Sequence, residues 1–248
     1  MMHAGIESAS LLSVRNLHAW YGAAHILQDI DLEVQRGEVV ALMGRNGAGK
    51  STTLKAIMGL VQQRTGHVQF MGHSIGRRLP YEIARLGLGY VPEDRRVFSE
   101  LSVRENLNVG RLSPRLWPDG RPALNWTIDA LYELFPNLAS MGDRLAGTMS
   151  GGEQQMLTVA RTLMGNPFVL LLDEPSEGVA PVIVDQMVGM ILALKARGAS
   201  VLLSEQNIHF ARLVSDRAYV LEKGIIRFQG SMSELAENDE IRRSYLSL

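Results

Sequence analysis

Nine consecutive residues, Gly44-Arg45-Asn46-Gly47-Ala48-Gly49-Lys50-Ser51-Thr52, constrain this chain more than any other stretch. They fit G-x-x-x-x-G-K-[ST], and they lie between an apolar run at 39–43 and a helical run at 49–60, the strand-then-helix context such a loop requires. Glycines let the backbone turn tightly, so that successive N–H groups point inward at phosphate oxygens beside the positive end of the following helix. Lys50 adds a full charge directed at β- and γ-phosphates, and the Ser51 hydroxyl suits Mg²⁺. Asn46, Gly47, Ala48, Gly49, Lys50, Ser51 and Thr52 are therefore the first candidate binding residues.

The surrounding pattern agrees with an α/β architecture. Ile30, Leu32 and Val34 alternate with Asp31 and Glu33 as a half-buried strand does, and the runs at 87–91, 168–172 and 201–203 read as fully buried strands. Ile183, Met187, Met190, Ile191 and Leu194 follow three-four spacing behind Pro181, which predicts an amphipathic helix over 181–195. Residues 219–221 and 225–228 flank Lys223-Gly224 as a hairpin, and Ser231 with Glu234 opens a closing helix through a capping box. Strands alternating with helices predict a parallel sheet covered on both faces. The stretch 99–149 differs: Pro114, Pro118, Gly120, Pro122 and Pro136 punctuate short helical segments, which predicts a helical lobe inserted in a single domain spanning 11–248.

A phosphate loop of this type needs a carboxylate to hold its metal, expected at the end of a neighbouring buried strand. Val169-Leu170-Leu171-Leu172-Asp173-Glu174 supplies it. Asp173 is placed to reach Mg²⁺ through water, and Glu174, one residue on, to act as general base on an attacking water.

Ser150-Gly151-Gly152-Glu153 precedes an apolar stripe of Met156, Val159, Ala160 and Leu163. Ser150 and Glu153 have capping-box spacing, but two glycines exceed what a cap needs; they are expected to leave a bare helix tip that a phosphate can approach. With this turn lying between the phosphate loop and the acidic strand, the chain resembles the ATP-binding subunits of ABC transporters, over nearly its whole length. The resemblance implies a RecA-like P-loop NTPase core with a mixed sheet, an N-terminal antiparallel β subdomain and an inserted α-helical subdomain. It implies ATP and Mg²⁺ as ligands, with Tyr21 stacking on adenine. It also implies a head-to-tail pair of ATPase subunits in which Ser150, Gly151 and Gly152 touch the γ-phosphate of ATP held by the other copy. Membrane-spanning permease subunits, contacted through the region 93–107, and indirectly a solute-binding protein, complete the implied assembly; Arg95 and Arg96 in that region are either contacts or a solvated face. The chain would then be a peripheral protein on the cytoplasmic face of the inner membrane.

Three positions depart from the family's common pattern. Glu93 stands where most relatives carry a metal-contacting glutamine, Gln206 where most carry a histidine against the γ-phosphate, and Ala180 where an aspartate is usual. Gln206 hydrogen-bonds but does not become cationic near neutral pH. As a set, these sequences with V-P-E-D-R-R-V-F, S-E-G-V-A-P and S-E-Q-N resemble the shorter ATPase subunit of importers for branched-chain amino acids or for polar amides such as urea. The resemblance leaves open a homodimer or a pairing with a sister subunit. A soluble ABC ATPase of DNA maintenance or translation, and a weakly hydrolysing regulatory module, are the alternative readings.

Composition bears on those alternatives. A formal net charge of −1 over 248 residues supplies no long-range attraction for a phosphate backbone or anionic lipid, so no nucleic-acid partner is expected. The absence of cysteine excludes disulfides, thiolate zinc sites and a catalytic thiol. Apolar runs of a few residues fall short of the roughly 20 that a spanning helix needs. Residues 1–10 lack the basic start and apolar stretch of a secretory signal.

Overall fold

The computed structural model describes residues 10–246, so the signal reading at 1–9 lies outside the described residues. The chain opens with β1 (Leu12–Tyr21) and β2 (Ala24–Val34), followed by β3 (Val39–Met43) and α1 (Lys50–Ile57), then β4 (Gln63–Phe70) and β5 (His73–Ser74). Strands β2-β1-β4-β5 form an antiparallel sheet. Next come α2 (Pro80–Leu86), β6 (Leu88–Val91), α3 (Val103–Val109), α4 (Ile128–Leu134), α5 (Pro136–Ala139) and α6 (Gly151–Leu163). The remaining elements are β7 (Val169–Asp173), α7 (Pro181–Ala196), β8 (Ser200–Glu205), α8 (Ile208–Val214), β9 (Arg217–Glu222), β10 (Ile225–Ser231), α9 (Met232–Glu237) and α10 (Asp239–Tyr245).

The second sheet runs β10-β9-β3-β8-β7-β6, parallel throughout except for the antiparallel hairpin at β10. Its central strands read as continuous apolar runs because both faces are covered. Successive residues feed two cores. Val39, Ala41 and Met43 pack with α6, α7 and α8 on one face, while Val40 and Leu42 pack with α1 and the antiparallel sheet on the other. Tyr219 of β9 joins the sheets, its phenol oxygen accepting from the Glu33 N–H at 3.0 Å. The mixed sheet and the N-terminal antiparallel layer match the α/β fold class expected from the sequence.

One connection differs from expectation. The strand carrying Asp173 is not the immediate neighbour of the phosphate-loop strand; β8 is inserted between β3 and β7. Local apolar runs establish that strands are buried but contain nothing that orders them across a sheet. Within 99–149 lie α3, α4, α5 and a 3-10 turn, with an irregular stretch at 110–126 whose Trp117 packs 4.6 Å from the Phe168 ring and under the Arg36 guanidinium. No helix among the described residues is long and apolar enough to cross a membrane.

Candidate nucleotide site

The loop between β3 and α1 owes its shape to glycine. Gly47 and Gly49 sit at φ 80° and 110°, where other residues are strained, and a Cβ on Gly49 would approach the Leu27 side chain to 2.9 Å. Lys50, the first residue of α1, is 3% exposed. Its ammonium donates to the carbonyls of Gly44 at 2.9 Å and Arg45 at 3.2 Å and pairs with Glu174 Oε1 at 3.0 Å, so all three N–H groups are engaged. Gly47, Gly49, Lys50, Ser51 and Thr52 line a cleft of about 310 Å³ together with Tyr21 and Glu174. Tyr21, at the end of β1, is half exposed at the rim of this cleft. Ala48 is buried, its carbonyl accepting from the Gly224 N–H at 2.8 Å.

Asp173 ends β7 and is fully buried. Its Oδ1 accepts from Ser204 Oγ at 2.7 Å and its Oδ2 from the Tyr90 phenol at 3.0 Å. Burial and the Asp173 charge push the Tyr90 phenol far up, so it remains a donor. Glu174, at φ 47°, has left the strand, with its N–H donating to Ser204 Oγ at 3.0 Å. Burial opposes ionisation of Glu174, but a hydrogen bond from Glu177 and the Lys50 ammonium outweigh it and hold the carboxyl below its usual range. Glu177 moves the opposite way. Its hydrogen bond with Glu174, reinforced by desolvation and by the charges of Glu174 and Glu93, pushes its carboxyl up to about 7.

A second cleft, of about 360 Å³, opens on the other side of Glu174, lined also by Asn46, Glu177, Glu205, Gln206 and Leu246. The sequence-predicted Glu174, Asn46 and Gln206 are thus brought together, although Gln206 follows β8 and Glu174 follows β7. Glu93 is exposed on the loop after β6. His209 is exposed in the first turn of α8, and Ala180 N-caps α7 without a side-chain bond.

At the start of α6 the capping box forms as expected: Ser150 Oγ accepts from the Glu153 N–H at 3.3 Å, and the Glu153 carboxylate accepts from the Ser150 N–H at 2.6 Å. Ser150 is exposed at the tip. A Cβ on Gly151 would run into the Arg95 guanidinium, and a Cβ on Gly152 would come within 2.6 Å of the Ile183 side chain of α7. The glycines serve close packing by neighbours that lie 56 and 31 residues away in sequence, which capping logic does not register.

A family model described as ABC transporter matches residues 27–177, a span containing both the phosphate loop and the acidic strand. The chain belongs to the ABC transporter ATP-binding family. This ABC ATPase is 42% identical over 236 residues to the high-affinity branched-chain amino acid transport ATP-binding protein BraG of Pseudomonas aeruginosa, covering 95% of this chain and 99% of BraG. It is 36% identical to a probable branched-chain amino acid transport ATP-binding protein, LivF, of Archaeoglobus fulgidus, over 94% and 97% of the two chains. To the lipopolysaccharide export system ATP-binding protein LptB of Haemophilus influenzae it is 35% identical, over 96% and 97%. Among solved structures, the ADP conformation of an ATP-binding cassette of an ABC transporter superposes with a TM-score of 0.77 at 26% identity, over 94% and 97% of the chains.

Sequence reasoning about this ABC ATPase found the phosphate loop and the acid pair and missed their supports. Glu177 lies in S-E-G-V-A-P and Ser204 and Glu205 in S-E-Q-N, but those stretches served only to mark the subfamily and gave these residues no role, and Tyr90 had no motif at all. The pairing of Asp173 with Ser204 across β7 and β8 would have exposed Ser204, but it follows from strand order, not from spacing.

Proposed function

We propose that this chain is the ATP-hydrolysing subunit of a branched-chain amino acid importer, peripheral on the cytoplasmic face of the inner membrane, paired with a second ATPase subunit and attached to permease subunits that receive solute from a binding protein. The observation that carries the solute class is the 42% identity to BraG across 99% of BraG's length. The lower identity to LptB, 35%, makes lipopolysaccharide export the competing reading.

In this reading the loop from Asn46 to Thr52 cradles the phosphates of ATP and Tyr21 stacks on its adenine. The γ-phosphate replaces Glu174 as the partner of Lys50, because it carries more negative charge than a carboxylate and a helix N-terminus adds N–H donors for it. Glu174, released from the ammonium, then accepts a proton from the attacking water. Gln206, which lines the same cleft as Glu174, orients that water or the γ-phosphate by hydrogen bonding. Ser51, Asp173 and Glu93 present hydroxyl and carboxylate oxygens, the hard donors that fit Mg²⁺, and Asp173 is already oriented by Tyr90 and Ser204. Mg²⁺, when bound, neutralises charge on the β- and γ-phosphates. Ser150, Gly151 and Gly152 close on the ATP of the other subunit after Arg95 moves aside or joins the phosphate, and the inserted lobe at 99–149 presents the permease contact around 93–107.

The test is reconstitution of the chain with its permease and binding-protein partners in liposomes. ATP-dependent uptake of radiolabelled leucine, isoleucine or valine is expected. Vesicles that hydrolyse ATP but extract lipopolysaccharide and take up none of the three amino acids would overturn the solute assignment and leave the ATPase reading standing.

A further inference from the structure

Glu205 is an acidic side chain, 2% exposed, that neither the phosphate loop nor the acid pair accounts for. It is the last residue of β8, and its side chain reaches two loops at once. Oε1 accepts from the Ser176 N–H at 3.1 Å, two residues beyond Glu174. Oε2 accepts from the N–H groups of Gln206 at 3.1 Å and Asn207 at 3.0 Å. Its backbone reaches a third loop, since the Gly44 N–H donates to the Glu205 carbonyl at 3.3 Å at the base of the phosphate loop. Backbone N–H groups only donate, so this arrangement calls for a group that accepts on both sides, which a carboxylate provides and a primary amide does not.

We infer that Glu205 is a positioning residue that fixes Gln206 and the Glu174-bearing loop relative to each other and to the phosphate loop, and so sets the geometry of γ-phosphate hydrolysis. The inference rests on the reading of Glu174 as base and deepens it. Burying a carboxylate is unfavourable, and burial indeed pushes the Glu205 carboxyl up; the Ser176 hydroxyl and the three N–H donors offset part of that penalty. A glutamine at 205 would keep one accepting oxygen and set its NH₂ against donors on the other side, releasing one loop from the other. Release of this kind leaves the phosphate loop and Tyr21 intact and disturbs only the alignment of groups around the γ-phosphate, where small displacements are felt in turnover.

The experiment compares the full-length chain with Glu205→Gln, Glu205→Asp and Glu174→Gln, reading kcat and KM for Mg-ATP together with affinity for a fluorescent trinitrophenyl-ATP. Glu205→Gln is expected to lower kcat by about tenfold or more while the KM and the analogue affinity stay within about twofold. Glu205→Asp keeps the carboxylate and retains more of kcat than the glutamine variant. Wild-type kcat in Glu205→Gln, beside a Glu174→Gln variant that has lost turnover, overturns the positioning role and spares the base. Wild-type turnover in Glu174→Gln overturns the base reading itself. If Glu205→Gln does not fold, amide exchange in the wild-type chain decides: slow exchange at Ser176, Gln206 and Asn207 is expected, and exchange at open-loop rates at all three overturns the clamp.

Discussion

Lys50, Glu174 and Glu177 form a chain of charge and proton in which each member changes what its neighbour can do. The ammonium holds Glu174 ionised, and ionised Glu174 in turn holds a proton on Glu177. Replacing Glu174 by Gln keeps the shape and removes the carboxylate proposed as the base. ATP binding is expected to persist, with kcat falling by about 10²-fold or more in a coupled phosphate-release assay. Lys50→Ala is expected to weaken ATP binding as well as turnover, read by titration with a fluorescent nucleotide, because it removes the buried charge proposed to bind the phosphates. Glu177 makes a prediction about pH. Its folded carboxyl is pushed up to about 7, so the stability it contributes is fully present below the ordinary carboxylate range and is lost as pH rises through about 7. The melting temperature of the nucleotide-free chain should therefore decline over that interval in differential scanning fluorimetry. Glu177→Gln, which donates to Glu174 at every pH, should flatten the decline.

At the scale of elements, helices and strands announced themselves where side-chain periodicity and local caps suffice. The run at 181–195 appears as α7, Pro181–Ala196, with Met187, Met190, Ile191 and Leu194 buried as the spacing required. Ser231 and Glu234 cap α9 as their separation indicated. The start of α6 was legible only in part. Its capping box is local and readable; its two glycines answer to Arg95 and Ile183, which only the folded chain brings there. The two glycines should accordingly differ. Gly152→Ala forces α6 from α7 and is expected to cost about 1–3 kcal/mol in urea unfolding, as overpacking does. Gly151→Ala displaces the flexible end of Arg95 and should cost less.

The whole molecule is arranged by pairings that no stretch of sequence states. Strand order places β8 between the phosphate-loop strand and the acidic strand, and that insertion brings Ser204 to Asp173 and Gln206 and Glu205 to the cleft beside Glu174. Motif spacing marked the phosphate loop and the acid pair, since each is contiguous in sequence. The residues that hold them come from other strands, and long-range register is invisible to periodicity. The proposed two-subunit sandwich also belongs to this scale: Glu174→Gln with Mg-ATP should raise the mass measured by light scattering, alone or with a sister subunit, and a monomer under both conditions would overturn the pairing.

Gly224, in the β9–β10 turn at φ 76°, gives its N–H to the Ala48 carbonyl and takes the N–H of Gln28 on its own carbonyl, both at 2.8 Å. One hinge-free rivet thereby joins the outer β layer, the hairpin and the loop that carries Lys50, and a Cβ at that point would collide with the Ile26 carbonyl. A side chain at 224 would therefore strain the outer layer and the loop that carries Lys50 together, although it lies in neither.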